Sequence, residues 1–109
     1  MAIRVVIYED NPFLRESISD LIASSIRFEL KGAYENCDHV SLDMETLKPD
    51  VVLMDIEMAG TNGLQGLRII KKKYPQVHVI MLTVFEDNDS VFEAIQAGAS
   101  GYLLKKTSH

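Results

Sequence analysis

The chain has 109 residues, 47% hydrophobic and 25% charged, with a net charge of −5; that length suits one domain with a real core and leaves no room for a catalytic domain joined to a second one. The acidic balance argues against gripping a nucleic-acid backbone unaided, because such affinity comes mostly from Lys and Arg. With no apolar run near the roughly 20 residues of a membrane span, no signal-peptide pattern at Met1-Ala2-Ile3-Arg4 and a lone Cys37 that excludes an internal disulfide or cysteine-based metal cluster, a soluble cytoplasmic protein is expected.

Ile3 to Tyr8 reads as a first strand, followed by Glu9 and Asp10. Asn11-Pro12 announces a helix from about Pro12 to Ser25, with Leu14, Ile18, Leu21 and Ile22 on one face. A weaker strand, Phe28 to Tyr34, leads to a short amphipathic segment carrying Val40, Met44 and Leu47 and closed by Pro49. Asp50 to Asp55 is nearly all apolar, as suits a central strand covered on both faces, and a Gly-containing loop, Ala59 to Gly63, follows. Leu64, Leu67, Ile70 and Tyr74 form the stripe of a third helix ended by Pro75, which makes Lys71-Lys72-Lys73 its solvated face. Val77 to Leu82 is the next buried strand. Ser90 and Glu93 suggest a capping box opening a fourth helix whose stripe includes Val91 and Ile95 and whose end is marked by Gly98. Gly101 to Leu104 is a last short strand.

Strands alternating with helices predict an α/β fold: a three-layer, doubly wound, parallel five-stranded sheet. Four helices against five strands leave one face short of cover. A fifth helix would bury three or four large apolar side chains at roughly 1.5–3 kcal/mol each, comparable with a domain's whole net stability. The chain is therefore expected to be an excerpt of a longer protein, or to be covered by a partner chain.

Parallel α/β sheets bind ligands at the carboxyl ends of their strands. There the sequence places Glu9 and Asp10, Asp55, Thr83 and Lys105, each just after an apolar run. Alone, an acid at a strand end can simply cap the next helix, Thr83 can be a turn residue and Lys105 a surface lysine. Together they fit phosphoryl transfer assisted by Mg2+, or Mn2+. The carboxylates suit a hard cation, Lys105 can pair with a phosphoryl oxygen or with Asp55, and the Thr83 hydroxyl can donate to a phosphoryl oxygen. His39 and His78 have no metal-ligand neighbours in sequence, and Met54, Met58 and Met81 read as core filler.

The motifs Tyr-Glu-Asp-Asn-Pro at 8–12, Leu-Met-Asp-Ile-Glu-Met at 53–58 with Asn62-Gly63, Leu82-Thr83, and Ala-Gly-Ala-Ser-Gly-Tyr-Leu-Leu-Lys at 97–105 resemble the receiver domain of two-component response regulators over the whole chain, 1–109. The last stretch is similar to receivers of the NarL/LuxR type. The resemblance implies a flavodoxin-like strand order 2-1-3-4-5 and Asp55 as acceptor of phosphate from a sensor histidine kinase. It also implies Glu9, Asp10, Asp55 and the backbone carbonyl of Glu57 as metal ligands, Thr83 and Tyr102 as a switch pair, and Lys105 as the phosphate-pairing lysine. By the same resemblance, Glu57 and Phe85 occupy positions that in the family tune how long the phosphate survives. Output is expected through the fourth helix and last strand, by homodimerisation. DNA binding would come only through a C-terminal domain outside this chain, and no membrane partner is expected. The sequence departs from the family pattern at Ala59 and Lys106, where proline is common, and a trans bond is expected before Lys106. Two other readings compete. A Toprim-like Mg2+ domain for nucleotidyl transfer would use Glu9 and Asp55-Ile56-Glu57 but leaves Thr83, Tyr102 and Lys105 without roles. A pseudo-receiver would keep the fold as an interaction module without phosphorylation.

Overall fold

A computed structural model describes residues 2–58, 60–83 and 88–105, excluding the side chains of 88 and 90. In chain order the elements are β1 (Ile3–Tyr8), α1 (Pro12–Ala23), β2 (Phe28–Tyr34), α2 (Val40–Leu47), β3 (Val51–Asp55), α3 (Gly63–Lys73), β4 (His78–Thr83), α4 (Asn88–Gln96) and β5 (Gly101–Leu104). The strands form one parallel sheet in the order β2-β1-β3-β4-β5, the predicted flavodoxin-like topology.

Side chains alternate across a strand, so each strand serves two faces. Val6, Tyr8, Val52, Met54, Val79 and Met81 point to one face and pack with Val40, Met44, Leu67, Ile70 and Ala94 of α2, α3 and α4. The predicted core methionines Met54, Met58 and Met81 are all buried. Tyr8 is wholly buried there, stacks on Tyr34 with ring centroids 5.6 Å apart, and donates its hydroxyl hydrogen to Asp43 Oδ2 of α2 at 2.8 Å.

The opposite face is thinly covered. Val5 and Ile7 are buried, but α1 has no fully buried residue, and Leu21, assigned by periodicity to its inner stripe, is 73% exposed. Leu103 is also exposed. One helix shields the β1–β2 side but does not extend across the sheet, so the described residues show four helices over five strands, in line with a missing fifth.

Several boundaries move. α1 stops at Ala23, where the Ser24 amide bonds back to the Asp20 carbonyl. β4 runs through Thr83, placing that residue in the ladder and not after it. α4 begins at Asn88, so Ser90 lies inside the helix, not at its cap; the capping box belongs to α3, between Asn62 and Gln65. In α4 the fully buried residue is Ala94, whereas Ile95 is 60% exposed, because the adjacent position lies about 100° around the helix. Gly98, at φ 99°, ends that region as expected. Of the lysine run, Lys72 and Lys73 are exposed, whereas Lys71 donates to the Pro75 and Val77 carbonyls and so fastens the end of α3. The residues Ala59, Phe85 and Lys106 lie outside the described residues, as does the bond before Lys106.

Candidate functional site

Because β1, β3 and β4 are parallel and in register, their carboxyl ends finish level: Tyr8 pairs with Met54, and Asp55 with Leu82. Tyr8 and Met54 turn into the core, so the alternation carries Glu9 and Asp55 to the other side of the sheet edge, beside α1. A groove of about 720 Å³ opens there, lined by Glu9, Asp10, Asp55, Thr83 and Lys105 at one end and by Phe13, Leu14, Leu82 and Leu103 along its walls. Five predicted site residues thus meet in one place, and Glu57 lines the same groove.

Glu9 and Asp55 are buried and Asp10 is exposed. Lys105 Nζ lies 2.5 Å from Glu9 Oε1 and 3.1 Å from Asp55 Oδ1, so one ammonium is shared between two carboxylates. Sequence reading foresaw the Asp55 contact but not the tighter one to Glu9. Burial, then the charge of Glu9, pushes the Asp55 carboxyl up from 3.8 to about 7, against the opposing pull of Lys105. Burial works to lower the Lys105 ammonium, but its hydrogen bonds and charge contacts with Glu9 and Asp55 win, and its net shift is upward.

The backbone fixes these groups. Lys105 N–H donates to the Thr83 carbonyl at 2.7 Å, so the lysine hangs from the last rung of the β4–β5 ladder. Gly63 opens α3 against the strand bearing Asp55: a Cβ there would come within 1.9 Å of the Asp55 carbonyl oxygen, so no other residue fits without displacing that strand end. The Asn11 side chain caps α1 by accepting from the Phe13 and Leu14 amides, while the Asn11 amide donates to Glu9 Oε2 at 3.1 Å. Arg15 Nη1 donates to the Glu9 carbonyl at 2.7 Å. Sequence reading overlooked Arg15; its signal was a cation in the opening turns of a helix, where the dipole disfavours one. Thr83 is buried, and Tyr102 packs half-buried against the core.

One carboxylate oxygen from each of Glu9, Asp10 and Asp55 lies within 4.8 Å of the other two. Opposite ligands of an octahedral Mg2+ at about 2.1 Å stand about 4.2 Å apart, so these donors fit one hard cation with little adjustment. Both Glu9 oxygens already have partners, Lys105 and the Asn11 amide. Glu9 therefore meets a cation through water or by releasing one of them. Among the described residues no other group of three metal-ligating side chains has this geometry.

Residues 5–109 match the family described as Response regulator receiver domain. The transcriptional regulatory protein LnrK of Bacillus subtilis is 37% identical over 106 residues, which cover 97% of this chain and 48% of LnrK. Among solved structures, the response regulator domain of Thermotoga maritima CheB is similar with a TM-score of 0.91 and 31% identity, over 99% of this chain and 81% of that one. A DNA-binding response regulator of the LuxR family from Staphylococcus aureus is similar with a TM-score of 0.87 and 34% identity, over 97% of this chain and 88% of that one. The chain spans about half the length of the curated relatives it matches. No described helix is long and apolar enough to cross a membrane. With the fold, the strand-end acids and the shared lysine in place, the chain belongs to the response-regulator receiver family of two-component systems, with relatives of the LuxR/NarL type.

Proposed function

We propose that this receiver is a phosphorylation switch in which Asp55 accepts a phosphoryl group from a sensor histidine kinase in the cytoplasm. The observation that carries this reading is the meeting of Glu9, Asp10 and Asp55 with Lys105 at one strand-end crevice. An ionised Asp55 oxygen attacks phosphorus as the bond from phosphorus to the kinase imidazole breaks, and the electron pair of that bond leaves with the imidazole. Glu9, Asp10, Asp55 and the Glu57 carbonyl are the residues that would hold Mg2+ or Mn2+, which supplies positive charge against the phosphoryl oxygens. Lys105 exchanges Asp55 Oδ1 for a phosphoryl oxygen and keeps Glu9 as its second partner. Thr83 donates its hydroxyl hydrogen to another phosphoryl oxygen, and its movement is passed to β5 through the bond between its carbonyl and the Lys105 amide. Tyr102 and the exposed face of α4, which carries Phe92 and Ile95, form the output surface, used for homodimerisation. Glu57, beside the groove, tunes the phosphate's lifetime, and Phe85 shares that role. A fifth helix or a partner chain covers the thin face of the sheet. In a longer parent protein, transcription is controlled through a separate DNA-binding domain.

Intact mass after incubation with acetyl phosphate tests the core of this reading, with and without Mg2+ and with Asp55→Asn as control. An adduct of about 80 Da that needs both the cation and Asp55 supports it. A folded protein that gains no adduct is a pseudo-receiver. The family match leaves the nucleotidyl-transfer alternative without support.

A further inference from the structure

Arg15 is the fourth residue of α1, near the helix end that disfavours a cation, yet beside the acidic trio, which favours one. The opening turns of α1 contain no acidic residue in the first turn, and the positive end of the helix dipole repels a cation there. The half-buried side chain nevertheless turns back toward the strand end and donates Nη1–H to the Glu9 main-chain carbonyl at 2.7 Å. That carbonyl shares a rigid plane with the Asp10 amide, so holding it fixes the direction in which the chain leaves Glu9. Two residues on, the Asn11 amide is held by Glu9 Oε2. Asp10 is the link between these two fastened points, and it is the exposed member of the acidic trio.

We propose that Arg15 is a positioning residue for the divalent-cation site, holding the Glu9–Asp10 peptide so that the Asp10 carboxylate meets those of Glu9 and Asp55. The inference rests on the phosphorylation-switch reading only in requiring that the acidic trio bind a cation. Two effects of Arg15 oppose each other. As a nearby positive charge it weakens cation binding, whereas as a clamp on the peptide it strengthens it. The charge effect is screened by salt and water at this half-exposed site, and the clamp sets the ligand geometry on which Mg2+ insists. The clamp therefore prevails.

The test is a titration with Mn2+ alone, followed by electron paramagnetic resonance of the free ion. The wild type is compared with Arg15→Met, which keeps the aliphatic stem without a donor, and with Arg15→Lys, which keeps reach, charge and one donor. The dissociation constant is expected to rise about three- to tenfold in Arg15→Met and to recover most of the way in Arg15→Lys, with the difference persisting at 0.5 M salt. Unchanged or tighter binding in a folded Arg15→Met protein overturns the proposal, as does failure of Arg15→Lys to recover. If the wild type binds Mn2+ but gains no adduct from acetyl phosphate, phosphoryl transfer falls and the role of Arg15 stands or falls on the titration. If the wild type binds no Mn2+, both fall.

Discussion

Replacing Asp55 with Asn tests the electrostatics of the site with little change of shape. Burial, then the charge of Glu9, pushes the folded Asp55 carboxyl up from 3.8 to about 7, so ionising it in place weakens the fold. The native state holds a proton that the unfolded chain has released between about pH 4 and pH 7. Stability is therefore lost as pH rises through that window, and the loss is complete above it. The Asn variant carries no such charge, and the upward shift of Asp55 is already net of the pull of Lys105. Discounted for solvent screening of a partly solvated group, the variant's advantage over wild type is expected to widen by roughly 1–2 kcal/mol between pH 4.5 and pH 8. At about 4–8 °C per kcal/mol for a domain near this size, that is roughly 4–16 °C in Tm. Thermal melts of both proteins across this pH range, without divalent cations, measure it. An advantage that stays constant or shrinks as pH rises would refute the reasoning, because Asp55 would then not carry an unfavourable charge. Adding Mg2+ at pH 8 should stabilise the wild type and narrow the gap.

Lys105→Met should cost about 2–4 kcal/mol at pH 8, since two buried carboxylates lose their shared cation; urea unfolding measures it, and millimolar Mg2+ should restore part of the loss. Tyr8→Phe should cost about 1–3 kcal/mol by removing the hydroxyl that donates to Asp43. The Tyr8 hydroxyl is pushed well above its ordinary range by burial and then by Asp43, so it stays protonated and the cost should not vary between pH 6 and pH 9. Gly63→Ala should cost about 3 kcal/mol or more and disturb Asp55, because the new methyl would meet the Asp55 carbonyl at 1.9 Å; circular dichroism melts and the acetyl phosphate adduct report the two effects separately.

The acidic residues were legible because parallel strands end together. An apolar run that stops at Asp55 or at Tyr8 leaves its next polar residue at a known edge, and the same logic located Thr83 and Lys105. What escaped depended on side-chain length and on contacts between elements. That Lys105 lies nearer Glu9 than Asp55 is set by the placement of side chains from separate strands, which strand periodicity does not encode. Arg15 was hidden because periodicity sorts helix residues into inner and outer faces and says nothing of one that reaches back past the cap. Ile95 and Leu21 failed for a different reason: an apolar stripe records what a helix can bury, whereas burial depends on what the sheet and its neighbours supply. Ala94, small and uninformative in sequence, is the residue that α4 presses against the core.

The groove beside α1 bears on time as well as on shape. It runs without interruption from the apolar walls of Phe13, Leu14 and Leu103 to Asp55. An aspartyl phosphate is an anhydride, destroyed by any water that reaches phosphorus in line with the breaking bond. On the proposed reading of Asp55 as phosphoacceptor, packing against the Leu103 wall would roof that approach, and loosening it would shorten the signal even with every residue touching the phosphate unchanged. The clock of the switch would then be wound partly by packing on the far wall of the groove, several side chains away from the chemistry it times.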